Sequence, residues 1–121
     1  MKKKVLGLVG ALEIELKGTD EVALLELSGQ LDSYTSEEIK KLIDTHINNG
    51  KLKAIIDLTN VDYLDSSGLS VLINTKIKLS KRGGDVRLVG LKGKAKEVFD
   101  LAGFTDLFLI LDNHEKAFQD F

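Results

Sequence analysis

The segment Asp57-Leu58-Thr59-Asn60-Val61-Asp62-Tyr63-Leu64-Asp65-Ser66-Ser67-Gly68-Leu69 concentrates the residues of this chain that could do chemistry: three acids, two adjacent serines and a glycine. It joins a buried strand to a helix, and Asp65-Ser66 stands where the helix N-cap belongs. The residues that follow then present free backbone N–H groups. Such a terminus carries about +0.5 of an elementary charge and favours an anion such as a phosphate. Ser66 and Ser67 place hydroxyls at that spot, and Gly68 is expected to leave the first turn uncovered for a closely approaching partner. Capping alone accounts for the same Asp-Ser pair, and on residue types alone it is the stronger explanation.

Two other chemistries fit less well. A serine nucleophile needs a base within hydrogen-bond reach, and Asp-Ser-Ser-Gly is not the G-x-S-x-G elbow. His46 lies in an amphipathic helix and His114 at the start of a terminal one, and both read as surface histidines. Asp57, Asp62 and Asp65 suggest a Mg²⁺ site, but no Gly-rich phosphate loop accompanies them. The absence of cysteine excludes disulfides, thiolate metal sites and cysteine nucleophiles. Two histidines are too few for a histidine-rich metal centre.

The elements that must position this segment follow from hydrophobic period. Leu12, Ile14 and Leu16 alternate with charged residues as a half-buried strand, and Val22–Leu27 is a central strand closed by Ser28-Gly29. Gly18-Thr19-Asp20 between them reads as a hairpin turn. Ser33–Glu38 opens a helix, with Thr35 and Glu38 at capping-box spacing, and Ile39, Leu42, Ile43 and Ile47 form its apolar stripe. Ala54–Leu58 is a buried strand, and Ser66 to about Lys81 is a helix with Leu69, Leu72, Ile73 and Ile77 on one face. Val86–Val89 is a strand, Ala95, Val98, Phe99 and Ala102 mark a helix, Phe108–Leu111 is a last strand and His114–Phe121 a short helix. Gly50, Gly83-Gly84 and Gly103 serve as helix stops. The order β-β-α-β-α-β-α-β-α predicts an α/β fold on a mixed sheet, an antiparallel hairpin followed by right-handed parallel crossovers.

At 121 residues, with 17 basic and 19 acidic side chains and 43% hydrophobic residues, the chain suits one domain with a core of its own. A net charge of −2 argues against a protein built to neutralise nucleic-acid phosphates. Met1-Lys2-Lys3-Lys4 and the apolar Val5–Leu12 imitate a signal peptide, but Glu13 ends the stretch and no A-x-A-like site follows. Residues 1–11 are therefore expected to be an edge strand or tail ahead of a domain over 12–121. No segment approaches the ~18–20 apolar residues of a membrane span, and a cytoplasmic location is expected.

Gly29-Gln30-Leu31-Asp32, Asp57-Leu58 at a strand end and Tyr63-Leu64-Asp65-Ser66-Ser67-Gly68-Leu69 together resemble the STAS domain of bacterial anti-sigma factor antagonists. The resemblance runs on through Gly83-Gly84, Leu88-Val89 and Val98-Phe99-Asp100-Leu101-Ala102-Gly103-Phe104. It departs at Leu91-Lys92-Gly93-Lys94, where the family often has a proline. The resemblance implies a phosphorylation-controlled switch and no enzyme. Ser66 would be the phosphoacceptor of a partner that is both anti-sigma factor and serine kinase, and a PP2C-type serine phosphatase would reset it. Asp32 and Asp65 would be the acids around the phosphosite, with Ser67, Gly68 and Ser70 in the partner surface. Asp32 is expected to be accessible and to tune the switch rather than the fold. No metal or cofactor and no direct nucleic-acid contact is implied, and a monomer or weak dimer is expected. The alternative is a STAS ligand-binding or scaffold module of a transporter or sensory complex, without phosphorylation.

Overall fold

A computed structural model describes residues 4–9 and 12–121. Met1–Lys3, Gly10 and Ala11, part of the expected N-terminal edge strand or tail, lie outside the described residues. Among the described residues six strands form one sheet: β1 (Lys4–Val9), β2 (Leu12–Gly18), β3 (Val22–Leu31), β4 (Lys53–Leu64), β5 (Asp85–Val89) and β6 (Leu109–Leu111). Four α-helices connect or follow them: α1 (Ser33–Asn48), α2 (Ser66–Lys81), α3 (Gly93–Ala102) and α4 (His114–Phe118), with one 3₁₀ turn at Thr105–Leu107. The strands lie side by side in chain order, β1-β2-β3-β4-β5-β6. The β1–β2 and β2–β3 pairs are antiparallel and all later pairs are parallel. The mixed α/β reading is thus correct, with β1 added at the edge.

Successive right-handed crossovers in one direction put their helices on one face of the sheet. There Leu25, Leu27, Ile56, Leu58 and Leu88 meet Ile39, Ile43 and Ile47 of α1, Leu69, Leu72 and Leu79 of α2, and Ala95 and Phe99 of α3. The opposite face is smaller: Val22, Leu24, Ile55 and Val89 pack with Ala117 of α4. Arg87 clamps that helix by donating to the carbonyls of Ala117 (3.0 Å) and Asp120 (3.1 Å), with its guanidinium 4.2 Å from the Phe121 ring centre. Among the described residues no helix is long and apolar enough to cross a membrane.

Three sequence expectations change. β3 does not close at Ser28-Gly29 but continues to Leu31, and β4 runs to Leu64 rather than stopping at Leu58. The extensions pair with each other, from Ser28↔Asn60 to Leu31↔Leu64, across register shifts that the positive φ of Gly29 (117°) accommodates. The buried stripe of α2 is also rotated from that expected. Leu69 and Leu72 are buried and Ile73 is half-buried, but Ile77 is 46% exposed and Thr75 and Leu79 take the inward positions. Thr75 tolerates burial because its hydroxyl donates to the Val71 carbonyl at 2.8 Å.

Candidate functional site

The two long strands at the centre of the sheet end level with each other, and each passes straight into a helix. Leu31 and Leu64 are register partners, and Asp32 and Asp65 follow them as N-caps of α1 and α2. The caps have nearly the same backbone, φ −113° and ψ −170° at Asp32 against φ −112° and ψ −172° at Asp65. Asp32 Oδ1 accepts from the N–H groups of Tyr34 (3.0 Å) and Thr35 (2.9 Å), and Asp65 Oδ1 from those of Ser67 (2.9 Å) and Gly68 (3.3 Å). The Asp65 N–H donates to the Leu31 carbonyl at 3.3 Å and so ties the two helix starts together.

The capping box of α1 is Asp32 with Thr35, not Thr35 with Glu38. The Thr35 hydroxyl accepts from the Asp32 N–H at 2.9 Å and donates to the Gln30 carbonyl at 2.8 Å. The Thr35 N–H chiefly, helped by the Thr35 hydroxyl and the Tyr34 N–H and opposed by partial desolvation, holds the Asp32 carboxyl below its ordinary range. Asp32 is half-buried and caps α1, so it has a structural role in that helix beside the regulatory one expected of it.

Ser66 is exposed at the first position of α2, Ser67 is half-buried behind it, and Ser70 is exposed one turn on. Gly68 is not a gap left for a partner. It is buried, and a Cβ there would lie 2.7 Å from the Leu31 carbonyl oxygen and 2.8 Å from Leu31 Cγ. Its missing side chain lets α2 start against the end of β3.

Two residues passed over at the sequence level flank the site. Tyr34, two residues after Asp32, is 66% exposed, and Tyr63, two residues before Asp65, is 46% exposed. Their placement beside the capping acids was the available signal, since exposed aromatics mark surfaces made for partners.

The rival chemistries find no geometry. His46 is thirteen residues along α1 from Ser33, about 20 Å at 1.5 Å per residue. His114 is held by Asp57, its Nε2 2.6 Å from Asp57 Oδ2, so it is not simply a surface histidine. Asp57 lies eight strand residues before Asp65, about 26 Å away at 3.3 Å per residue. Neither imidazole can serve Ser66 as a base. The acids of the Mg²⁺ reading are dispersed too: Asp57 faces His114, Asp62 is exposed and Asp65 caps α2. What this end of the molecule offers is an exposed hydroxyl at the first position of α2, beside a second Asp-capped helix start.

The family model that matches the chain is the STAS domain, over residues 13–117. The anti-sigma-B factor antagonist of Listeria monocytogenes is 29% identical over 100 residues, which is 83% of this chain and 87% of that protein. In structure, the chain is similar to an anti-sigma factor antagonist from Mycobacterium paratuberculosis, with TM-score 0.77 and 24% identity over 88% of this chain and 90% of that one. It is similar also to the Bacillus cell fate determinant SpoIIAA in its phosphorylated form, with TM-score 0.72 and 24% identity over 86% of this chain and 95% of that one.

Proposed function

The chain belongs to the STAS domain family, and from that premise we propose that it is an anti-sigma factor antagonist switched by phosphorylation of Ser66. Unphosphorylated, it binds an anti-sigma factor that is also a serine kinase and so releases a sigma factor. Phosphorylated, it lets go, and a PP2C-type serine phosphatase restores it. The chain itself acts by binding and not by catalysis, in the cytoplasm. The observation that carries this reading is the exposed Ser66 at the first position of α2, beside the second Asp-capped helix start.

The electrostatics of that position support a switch. A phosphate on Ser66 adds about −1.5 to −2 charges at pH 7 next to Asp65 and close to Asp32. The N-terminus of α2 offsets part of this, by about 0.3–1 kcal/mol, so the fold survives. A partner surface fitted to a neutral hydroxyl between two carboxylates instead meets a dianion, and juxtaposed like charges cost several kcal/mol. At 1.4 kcal/mol per decade, about 3–4 kcal/mol turns a nanomolar complex into a micromolar one. Tyr34 and Tyr63 give the same surface its apolar anchors.

Calorimetric titration of the anti-sigma kinase, with ADP present, tests the proposal. Ser66→Ala should bind like wild type and resist release by ATP, and Ser66→Asp should bind more weakly with an unchanged circular dichroism spectrum. Peptide mass spectrometry after incubation with kinase and ATP should place the phosphate on Ser66. Phosphate on Ser67, or wild-type affinity of Ser66→Asp, would refute the reading.

A further inference from the structure

The face of the sheet under α4 carries a cluster that the switch does not use. Glu26 of β3 and Asp57 of β4 are register partners, so their side chains stand abreast on one face, and His114 reaches them from the first position of α4. One ligand atom from each of the three lies within 4.8 Å of the others. Glu15 of β2, the register partner of Glu26, brings a third carboxylate to the same row. Like charges abreast on neighbouring strands repel. Lys17 answers part of that charge through an ion pair with Glu26, which raises the lysine pKa against the opposing effect of its partial burial.

Asp57 is also oriented as a metal-binding carboxylate would be. Its Oδ1 accepts from the Thr59 N–H at 2.8 Å while Oδ2 faces the imidazole. Gly90 packs directly against Thr59, and an added Cβ there would come within 2.0 Å of the threonine hydroxyl oxygen. Such outer contacts fix the direction of a ligating group. The Asp57 side chain is 13% exposed and that of His114 36%, a setting sheltered from bulk water yet open to an ion.

We propose that Glu26, Asp57 and His114 form a site for a divalent transition metal, Zn²⁺ by preference, which pins α4 to the sheet and which Lys17 opposes. One neutral imidazole and two carboxylates suit Zn²⁺, whereas Mg²⁺ and Ca²⁺ take oxygen ligands. Ligand atoms already within 4.8 Å need only modest side-chain movement to surround an ion at about 2.0–2.2 Å. Three protein ligands leave a fourth position for water. Lys17 occupies the electrostatic place of the ion, so metal entry requires its ammonium to swing out to solvent.

The test is a titration of the metal-free full chain with Zn²⁺ by calorimetry at pH 7.5, together with NMR of the two histidine rings. Saturable binding of one equivalent is expected, with the His114 ring signals shifted and those of His46 unmoved. Glu26→Gln and His114→Gln should weaken binding by at least about tenfold, the scale on which even outer contacts of a metal site act. Lys17→Met should tighten it, and millimolar Mg²⁺ should not compete. The NMR readout on wild type does not depend on any variant folding. Absence of saturable binding, a shift confined to His46, or an affinity unchanged by Lys17→Met would overturn the proposal.

Discussion

Replacing Gly68 with alanine separates the two roles that its position allows. On an open helix surface the change favours the helix by up to about 1 kcal/mol. Here the new Cβ would meet the Leu31 carbonyl oxygen at 2.7 Å and Leu31 Cγ at 2.8 Å, at a buried residue paired with Leu64 of β4 and so unable to yield freely. Overpacking costs about 1–3 kcal/mol, and a clash this short with a backbone oxygen belongs in the upper part of that range, so after the helix gain a net loss of about 1–2 kcal/mol is expected. Unfolding entropy is about 2.1 cal/mol/K per residue, or about 250 cal/mol/K for this chain, so each kcal/mol lowers Tm by about 4 °C. Gly68→Ala should therefore melt about 4–8 °C below wild type by circular dichroism or calorimetry. The exposed Ser70→Ala on the same helix should stay within about ±0.5 kcal/mol of wild type. Because the clash pushes α2 away from Leu31, it should also loosen the Asp65–Leu31 hydrogen bond and slow phosphorylation of Ser66. A Gly68→Ala protein as stable as wild type, or more so, would refute the close approach of α2 to β3 and return the glycine to the partner surface.

Asp32→Ala should lower the melting temperature more than Ser33→Ala does, and Asp32→Asn, which keeps an acceptor oxygen, should recover most of the loss; equal melting of all three would remove Asp32 from the framework of α1. Burial pulls the Asp57 carboxyl upward, but hydrogen bonds from Thr59 and His114 outweigh it and leave its pKa below the ordinary value. The unfolded chain then takes up this proton first, so the contribution of Asp57 is complete above the unfolded pKa near 4 and fades as pH falls through the lower folded value. Asp57→Asn should accordingly shallow the acid limb of a Tm-against-pH curve below about pH 4, and an unchanged limb would count against the Thr59–Asp57–His114 arrangement. Arg87→Lys cannot keep the forked contacts to Ala117 and Asp120 or the stacking on Phe121; amide exchange in residues 114–118 should quicken by about tenfold, a loss of about 1.4 kcal/mol, with α2 unaffected.

How much could be read in advance differed by element, for physical reasons. The parallel strands announce themselves as apolar runs, because both faces of the sheet are covered there, and the three long helices by period, because each buries one side against the sheet. The outer half of β4 does not, since Asn60 and Asp62 are poor strand formers and residues beyond Asp57 pair with β3 but not with β5. Ser66 and its capping Asp65 were legible because a helix start has its own residue code. Gly68 was misread because a glycine near a helix start looks the same whether it faces a partner or its own strand. The stripe of α2 was misplaced because a polar Thr75 sits inside once its hydroxyl finds a carbonyl within the same helix. His114 gave no sign of Asp57, since 57 residues of chain separate the two and no local pattern spans that distance.

The agreement between strand order in space and strand order in the chain bears on how the molecule is assembled. Every new strand–helix unit attaches to an edge that the preceding one has just laid down, so no segment must be inserted between strands already paired. A chain emerging from the ribosome can build the β1–β2–β3 meander, then add β4, β5 and β6 in turn as each crossover helix is completed. This keeps most loop closures short, which favours fast folding. The cost falls on the second face: Leu24 and Ile55 stay uncovered until Arg87 captures α4, so synthesis passes through a state with a sticky sheet surface. Variants that weaken the α4 clamp would lengthen that interval, and their damage would appear first as aggregation of the newborn chain.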